Sequence, residues 1–197
     1  MYDYIKGELT EITPTQAVVE NNGIGYKLEI SLSTFADIQG FLNKEVKLFI
    51  YYHVKEDVAM WYGFNSKEER GMFVLLINVN GIGPNTARMI LSSLTTEELK
   101  TAIISNDVNR IKNVKGIGIK TAQRVIIDLK DKVVKGADTS TLPLSGAAVN
   151  PQSEEALGAL TMLGFPKAAS QKAIGEVLKE IPNAPVEEII KKALKKL

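Results

Sequence analysis

Residues 79–87 read Val-Asn-Gly-Ile-Gly-Pro-Asn-Thr-Ala, and residues 114–122 read Val-Lys-Gly-Ile-Gly-Ile-Lys-Thr-Ala. Six of the nine positions are identical across an offset of 35 residues. A short motif that recurs at a fixed offset indicates one supersecondary unit used twice. The register continues beyond the motif, because apolar residues at helical spacing follow both copies. They are Ala87, Ile90, Leu91 and Leu94 after the first copy and Ala122, Val125, Ile126 and Leu129 after the second.

Each Gly-x-Gly segment is predicted to turn the chain into a new helix. Pro84 suits the first position of such a helix, where a missing N–H has no partner to lose. The two glycines allow a sharp turn and the close approach of a ligand. The first amides of the following helix point outward beside the positive end of its dipole, which favours bound phosphate. For either copy alone, an ordinary αα-hairpin closed by a glycine turn stays open.

The net charge of +1 conceals an uneven distribution along the chain. Residues 1–64 carry 5 basic and 9 acidic side chains, and residues 136–197 carry 7 of each. Residues 65–135, which contain both copies of the motif, carry 12 basic and 7 acidic side chains, a net of +5. A local excess of positive charge is typical of a surface that binds a polyanion.

The paired turns and their basic flanks resemble the helix-hairpin-helix motif. That resemblance implies a tandem module that grips the phosphates of both DNA strands across the minor groove without reading bases. A nucleotide-binding loop fits poorly, because neither copy is a GxGxxG segment after a strand and no Gly-Lys-Ser/Thr follows. The predicted phosphate-binding residues are Gly81, Gly83, Asn85, Arg88, Lys115, Gly116, Gly118, Lys120 and Arg124.

Residues 1–64 are predicted to form a small β-barrel. Five candidate strands occur, and Asn22-Gly23 is a strong signal for a tight hairpin between the second and third. A short helical or irregular stretch is expected around residues 33–39. This pattern suits a closed OB-fold, although strand propensity alone does not separate it from an SH3-like barrel.

From Ser66 onward the apolar period becomes helical. Capping boxes are predicted at Ser66 with Glu69 and at Thr95 with Glu98, and residues 65–133 are expected to form five or six helices. Residues 134–151 lose this periodicity and are predicted to be a flexible linker. The fold class is therefore α+β multidomain.

Residues 152–197 are predicted to form a three-helix domain. Ser153 is expected to cap its first helix, and Pro185 to open its third. The Leu-Gly-Phe turn at residues 163–165 resembles that of ubiquitin-associated-like domains. Apolar side chains near this turn are candidates for contact with a protein partner, the alternative being core packing. The residues predicted for this contact are Leu160, Leu163 and Phe165.

The composition indicates the cellular compartment in which the protein is expected. The chain contains no cysteine, which fits a reducing compartment. It has neither an apolar run of membrane-spanning length nor the pattern of a signal peptide, so a cytoplasmic location without membrane association is expected. No cofactor and no metal site are predicted.

The order of these parts, with three local matches, resembles the RuvA family of Holliday-junction-binding proteins over essentially the whole chain. The matches are Tyr-Gly-Phe at residues 62–64, Lys-Glu-Glu-Arg at residues 67–70, and both Gly-x-Gly segments. The resemblance implies a homotetramer that holds a four-way DNA junction square-planar and independently of sequence. It also implies recruitment of the hexameric ATPase RuvB, and contact with the junction resolvase RuvC.

The resemblance gives a different meaning to Glu56 and Asp57. Local sequence favours a solvated hairpin tip, whereas the family match implies a central acidic pin that repels phosphates at the crossover. Asn85 departs from the family pattern, because a basic residue is expected there, as at Lys120 in the second copy.

The main alternative is a helix-hairpin-helix repair enzyme of the nuclease or glycosylase type. A metal nuclease requires clustered carboxylates, but Asp128 and Asp131 are spaced along a helix end without companions. No Walker sequence is present, so ATP hydrolysis would have to come from a partner. We expect no catalytic residues in this chain.

Overall fold

The computed structural model describes residues 2–56, 58–137, 151–182 and 184–197. The chain divides into two compact units, Met1–Leu142 and Pro143–Leu197. Within the described residues, no helix combines the length and the apolar character that a membrane span requires.

Five strands at the start of the first unit close into a barrel in the order β1-β2-β3-β5-β4, with β4 pairing back onto β1. Strands β3 and β5 are parallel, and the other neighbours are antiparallel. This OB-like barrel confirms the predicted class of the N-terminal part. The strands are β1 (Tyr4–Thr13), β2 (Gln16–Asn21), β3 (Ile24–Ile30), β4 (Glu45–Lys55) and β5 (Val58–Phe64).

Local features of the sequence explain how the barrel forms. Asn22 and Gly23 have φ values of 51° and 78°, the backbone that a two-residue hairpin between β2 and β3 needs. Alternate residues point inward, and Leu9, Val19 and Leu28 are fully buried. Between β3 and β4 lie α1 (Leu32–Ile38) and a short 3-10 helix (Gln39–Phe41).

The helical part of the first unit confirms the predicted tandem arrangement. The stripes after the two Gly-x-Gly segments face the core; of their eight residues only Leu94 is partly exposed. The five helices are α2 (Lys67–Ile77), α3 (Pro84–Ser93), α4 (Thr96–Ile104), α5 (Val108–Lys112) and α6 (Ile119–Ala137).

The end of β5 belongs to the core of these helices, while the barrel interior has a core of its own. Phe73 of α2 is fully buried, and its ring centre lies 5.0 Å from that of Tyr62 and 4.9 Å from that of Phe64. Tyr62 and Phe64 are on β5, but they pack with the buried residues of the helices. The change from strand to helix near residue 65 is therefore bridged by continuous apolar packing.

Of the two predicted capping boxes, one forms completely and the other forms only in part. At Thr95 and Glu98 both reciprocal hydrogen bonds form, as predicted. Ser66 accepts a hydrogen bond from the Glu69 amide, but the Glu69 carboxylate is used elsewhere. It accepts hydrogen bonds from the hydroxyls of Ser31, at 2.5 Å, and Thr34, at 2.8 Å. A carboxylate from α2 is thus held by two hydroxyls at the start of α1.

Burial raises the pKa of Glu69, and the two hydroxyl hydrogen bonds oppose this shift only in part. The folded protein consequently binds this proton more tightly than the unfolded chain does. Binding of this proton therefore stabilises the folded state. The stabilisation is fully present below pH 4.5, the ordinary pKa of a glutamate side chain, and is lost as the pH rises through the raised pKa of the folded protein.

We expect Glu69→Gln to gain stability relative to the wild type as the pH rises from about 4.5 to about 7.5, because glutamine cannot ionise. Urea unfolding at several pH values measures this difference. The exposed neighbour Glu68, changed to glutamine, is the control and should give a nearly constant difference. A constant difference for Glu69→Gln as well would contradict the expectation.

The second unit confirms the predicted three-helix domain. Gly164, with φ of 96°, forms the turn after the first helix. Two boundaries differ from the expectation: the first helix begins at Pro151, so Ser153 lies inside it, and α6 continues through residues 134–137. Residues 138–150 of the predicted linker lie outside the described residues. The helices are α7 (Pro151–Met162), α8 (Lys167–Glu180) and α9 (Val186–Ala193).

Candidate nucleic-acid interface

The two Gly-x-Gly turns adopt the same conformation. Gly81 and Gly116 have φ values of 92° and 85°, in the left-handed region that favours glycine. The amides of Ile82 and Ile117 each donate to the carbonyl three residues earlier, at 3.0 Å in both copies. Both isoleucines are buried, whereas the glycines on either side are exposed. Each turn is thus anchored by its central isoleucine and presents its glycine backbone to solvent.

Both turns lead into a helix in the same way. The first helical bond joins Ala87 N to Gly83 O in one copy and Ala122 N to Gly118 O in the other, each at 2.9 Å. The amides of the intervening residues precede that bond and have no partner further back in the helix. Together with the exposed glycines they form two similar patches of N–H donors, each suited to a phosphate oxygen. The first patch has one donor fewer, because Pro84 has no N–H.

The second turn has more positive charge than the first. Lys115 and Lys120 flank it, are exposed, and form no ion pair among the described residues. The matching positions of the first turn are Asn80 and Asn85, both exposed and uncharged. The two turns therefore differ by two charges.

Arg124 brings the two turns together. It belongs to α6, which follows the second turn, yet its Nη1 donates to the Asn80 carbonyl of the first turn at 3.2 Å. A Cβ added to Gly116 would lie 3.7 Å from the Met89 Cε, so α3 also approaches the second turn. The two turns therefore lie close together, and the exposed Arg124 side chain contacts the first of them.

Arg88 is not available as a phosphate ligand in this structure. Its Nη1 forms an ion pair with Glu29 of β3 and donates to the Thr15 carbonyl at 3.1 Å. The side chain is only 21% exposed. This side chain ties α3 to the barrel here, and its predicted contact with phosphate stays a prediction. The partner is 59 residues away in sequence, so no local signal indicated the pairing.

Strands β4 and β5 extend past the barrel as a two-stranded ribbon. Strand β1 pairs with β4 only up to Phe49, whereas β4 and β5 stay paired up to Lys55 and Val58. Beyond Tyr51 the ribbon is about 13 Å long, at about 3.3 Å per residue. Glu56 is exposed at its tip, and Asp57 lies outside the described residues. Part of the predicted acidic pin is thus placed on a projecting hairpin.

In the second unit, the three residues predicted to contact a partner differ in their exposure to solvent. Leu160 is fully buried in the core of the three helices, so it packs the domain and is wrong as a surface residue. Phe165 packs partly against the same core. Leu163 is 62% exposed, and Met162, which the sequence analysis missed, is 92% exposed. The exposed apolar surface near the turn therefore consists mainly of Met162 and Leu163.

Among residues 2–56, 58–137, 151–182 and 184–197 there is no group of three or more His, Asp or Glu side chains that could hold a metal ion. Asp128 and Asp131 are both exposed on α6.

Three family models match the chain. The RuvA N-terminal domain matches residues 1–63, the SAM-like helix-hairpin-helix tandem matches residues 73–131, and the RuvA C-terminal domain matches residues 151–197. The three matched segments correspond, in the same order, to the barrel, the part with the two turns and the three-helix unit.

Full-length relatives show the same similarity. Proteins from Bacteroides fragilis and Bacteroides thetaiotaomicron are each 52% identical to this chain, and one from Christiangramia forsetii is 49% identical. In each case the similarity covers all of both chains. Each relative is named Holliday junction branch migration complex subunit RuvA. With its barrel, paired turns and three-helix unit in the same order, this chain belongs to the RuvA family.

Proposed function

We propose that this chain binds four-way (Holliday) DNA junctions through their phosphates and independently of base sequence. The observation that carries the proposal is the pair of identical Gly-x-Gly turns on one surface, each with exposed glycines at the start of a helix. The names of the full-length relatives, which refer to a Holliday junction complex, support the same conclusion.

Each turn supplies backbone N–H donors and the positive end of a helix dipole, neither of which distinguishes one base from another. Lys115 and Lys120 add charge at the second turn, and Arg124 adds charge at the first. Two phosphate sites on one rigid surface suit the two strands of a single duplex arm. Affinity then depends strongly on salt, because binding releases the counterions of the contacted phosphates.

Selectivity for a junction is assigned to the acidic hairpin. We propose a homotetramer in which the barrels meet at the centre and each pair of turns holds one arm in a square-planar arrangement. Four copies of Glu56 and Asp57 would then place about eight negative charges at the crossover. Repulsion between close like charges costs about 1–4 kcal/mol a pair near a protein surface. The pin would disfavour uninterrupted duplex at the centre and help to separate strands there.

The chain's own role ends with binding, in this proposal. Its sequence has no Walker motif, so the ATPase of branch migration would be the partner RuvB. We assign RuvB contact to the three-helix unit, where Met162 and Leu163 expose adjacent apolar side chains. The resolvase RuvC is proposed as a further partner on the same junction. The proposed cellular setting is DNA recombination and repair in the cytoplasm.

The direct test compares a synthetic immobile four-way junction with a linear duplex of the same arm sequence at one salt concentration. We expect the junction to bind at least about tenfold more tightly, because only the junction offers four arms and an open centre. Native mass of the complex should correspond to a multiple of four chains. Equal affinities for the two DNAs would overturn the proposal.

Reversing the charge of the pin tests its role separately. We expect Glu56→Lys to tighten binding to linear duplex and to reduce preference for the junction, since a repulsive charge becomes attractive. Glu20→Lys, on the exposed face of β2, changes the net charge equally and is the matched control. If both variants shift duplex affinity by the same factor, the effect is one of total charge, and the pin has no special role.

A further inference from the structure

We propose that Asn80 is a site of spontaneous deamidation, accelerated by Arg124, which switches the first turn from attracting phosphate to repelling it. Asn80 is exposed and directly precedes Gly81 in the turn. The second turn carries Lys115 at the matching position and cannot undergo this reaction. Only one of the two proposed phosphate sites would therefore be lost.

The reaction needs no reagent other than water. The Gly81 nitrogen loses its proton and attacks the side-chain Cγ of Asn80, forming a C–N bond that closes a five-membered succinimide ring. The side-chain nitrogen leaves as ammonia. Water then opens the ring at either carbonyl and leaves an aspartate or an isoaspartate, with no change of oxidation state.

The turn leaves the attacking nitrogen unhindered. In the described part of the chain the Gly81 N–H donates no hydrogen bond, so none has to break before the nitrogen attacks. A Cβ built on Gly81 would meet nothing within 4 Å, so the site is open to water. With φ of 92°, the turn also disfavours any residue except glycine at this position.

Arg124 supplies the acceleration. Its Nη1 lies 3.2 Å from the Asn80 carbonyl oxygen, which belongs to the same peptide unit as the Gly81 nitrogen. When that nitrogen loses its proton, the negative charge spreads onto this oxygen. A guanidinium that donates to the oxygen stabilises the anion, as hydrogen-bond donors do in an oxyanion hole.

The chain contains its own reference site. Asn22 precedes Gly23 in the exposed hairpin between β2 and β3. Among the described residues, no arginine or lysine side chain donates to the Asn22 carbonyl. The two sites thus share the reactive dipeptide, and a cation contacts only the Asn80 peptide.

The consequence for binding rests on the proposed function. Deamidation places a carboxylate beside the amides of the first turn and within reach of Arg124. The new charge would repel phosphate and would compete with it for the Arg124 guanidinium. The isoaspartate product also lengthens the main chain of the turn by one carbon, which disturbs the conformation that both copies have in common.

The chemical test incubates the full-length protein at mildly alkaline pH and follows both sites by peptide mapping with mass spectrometry. We expect Asn80 to react faster than Asn22. Arg124→Gln should slow Asn80 about tenfold, which corresponds to about 1.4 kcal/mol of transition-state stabilisation, and leave Asn22 unchanged. Arg124→Lys, which keeps a cation, should give an intermediate rate. Equal rates at the two sites, or a rate at Asn80 that Arg124→Gln leaves unaltered, would overturn the proposal.

The binding test compares Asn80→Asp, which imitates the product, with Asn80→Gln, which preserves an uncharged amide. We expect the aspartate variant to bind a four-way junction about tenfold more weakly and with a shallower salt dependence. Equal affinity of the two variants would overturn the proposed switch. A wild-type protein that does not prefer the junction would instead overturn the proposed function, and the deamidation rates would still decide the chemistry. Circular dichroism of each variant shows whether the fold is kept.

Discussion

We expect the replacement of Lys115 and Lys120 together with glutamine to lower junction affinity at least about fiftyfold at about 0.1 M monovalent salt, because the proposal assigns one phosphate contact on each arm to each of these side chains. Each lost contact removes about 0.9 from the slope of log K against log salt, which is about eightfold in affinity at this concentration. A salt titration by fluorescence anisotropy measures both the affinity and the slope. The loss should be nearly the same for junctions of different sequence, since phosphates carry no base information.

The matched control is Lys172→Gln with Lys179→Gln on α8 of the second unit, where both side chains are exposed. It removes the same two charges from a surface that the proposal does not assign to DNA. A control that lost as much affinity as the turn variant would show that total charge, and not the second turn, determines binding.

Replacing Phe73 with alanine should lower the free energy of unfolding by about 3–5 kcal/mol, the usual cost of removing a buried aromatic ring. Phe73 is fully buried, and its ring also lies 5.4 Å from that of Tyr51 on β4. The effect should reach the barrel, although Phe73 belongs to a helix. Trp61, the only tryptophan of the chain, lies on β5 and its fluorescence reports on the barrel.

Denaturant unfolding followed by Trp61 fluorescence tests this coupling. We expect the fluorescence midpoint to fall in Phe73→Ala, together with the loss of helical circular dichroism from the first unit. Phe41→Ala is the control, because Phe41 is 48% exposed and its removal should change stability by less than about 0.5 kcal/mol. An unchanged Trp61 midpoint would mean that the barrel and the helices unfold independently.

Most of the architecture follows from local signals. The five strands, the helical stripes and the three C-terminal helices were all predicted, because the alternation of apolar residues and the turn residues act over a few neighbours. Errors at the boundaries, such as Ser153 within α7, arise because two start signals compete. Here Pro151, two residues before Ser153, suits the first position of a helix.

For the candidate site, the sequence predicted the backbone conformation better than the contacts of the side chains. Residues whose role is a backbone conformation, such as Gly81 and Gly116, were predicted with the correct turn, because glycine's conformational freedom is a local property. Residues whose role depends on a distant partner were not. Arg88 was assigned to the phosphate site because it is a basic residue close to the first turn, and Leu160 was assigned to partner contact because it is an apolar residue close to the Leu-Gly-Phe turn.

The sequence by itself determined that this protein is a barrel, a tandem of glycine turns and a three-helix unit, since each of these depends on residues close together along the chain. Only the tertiary structure decided which cations face outward. Arg88 is held by Glu29 of the barrel, while Arg124 reaches the first turn from the helix after the second. An arginine side chain is long enough to serve a backbone or a carboxylate far away in sequence, so its partner is set by packing and cannot be inferred from its neighbours.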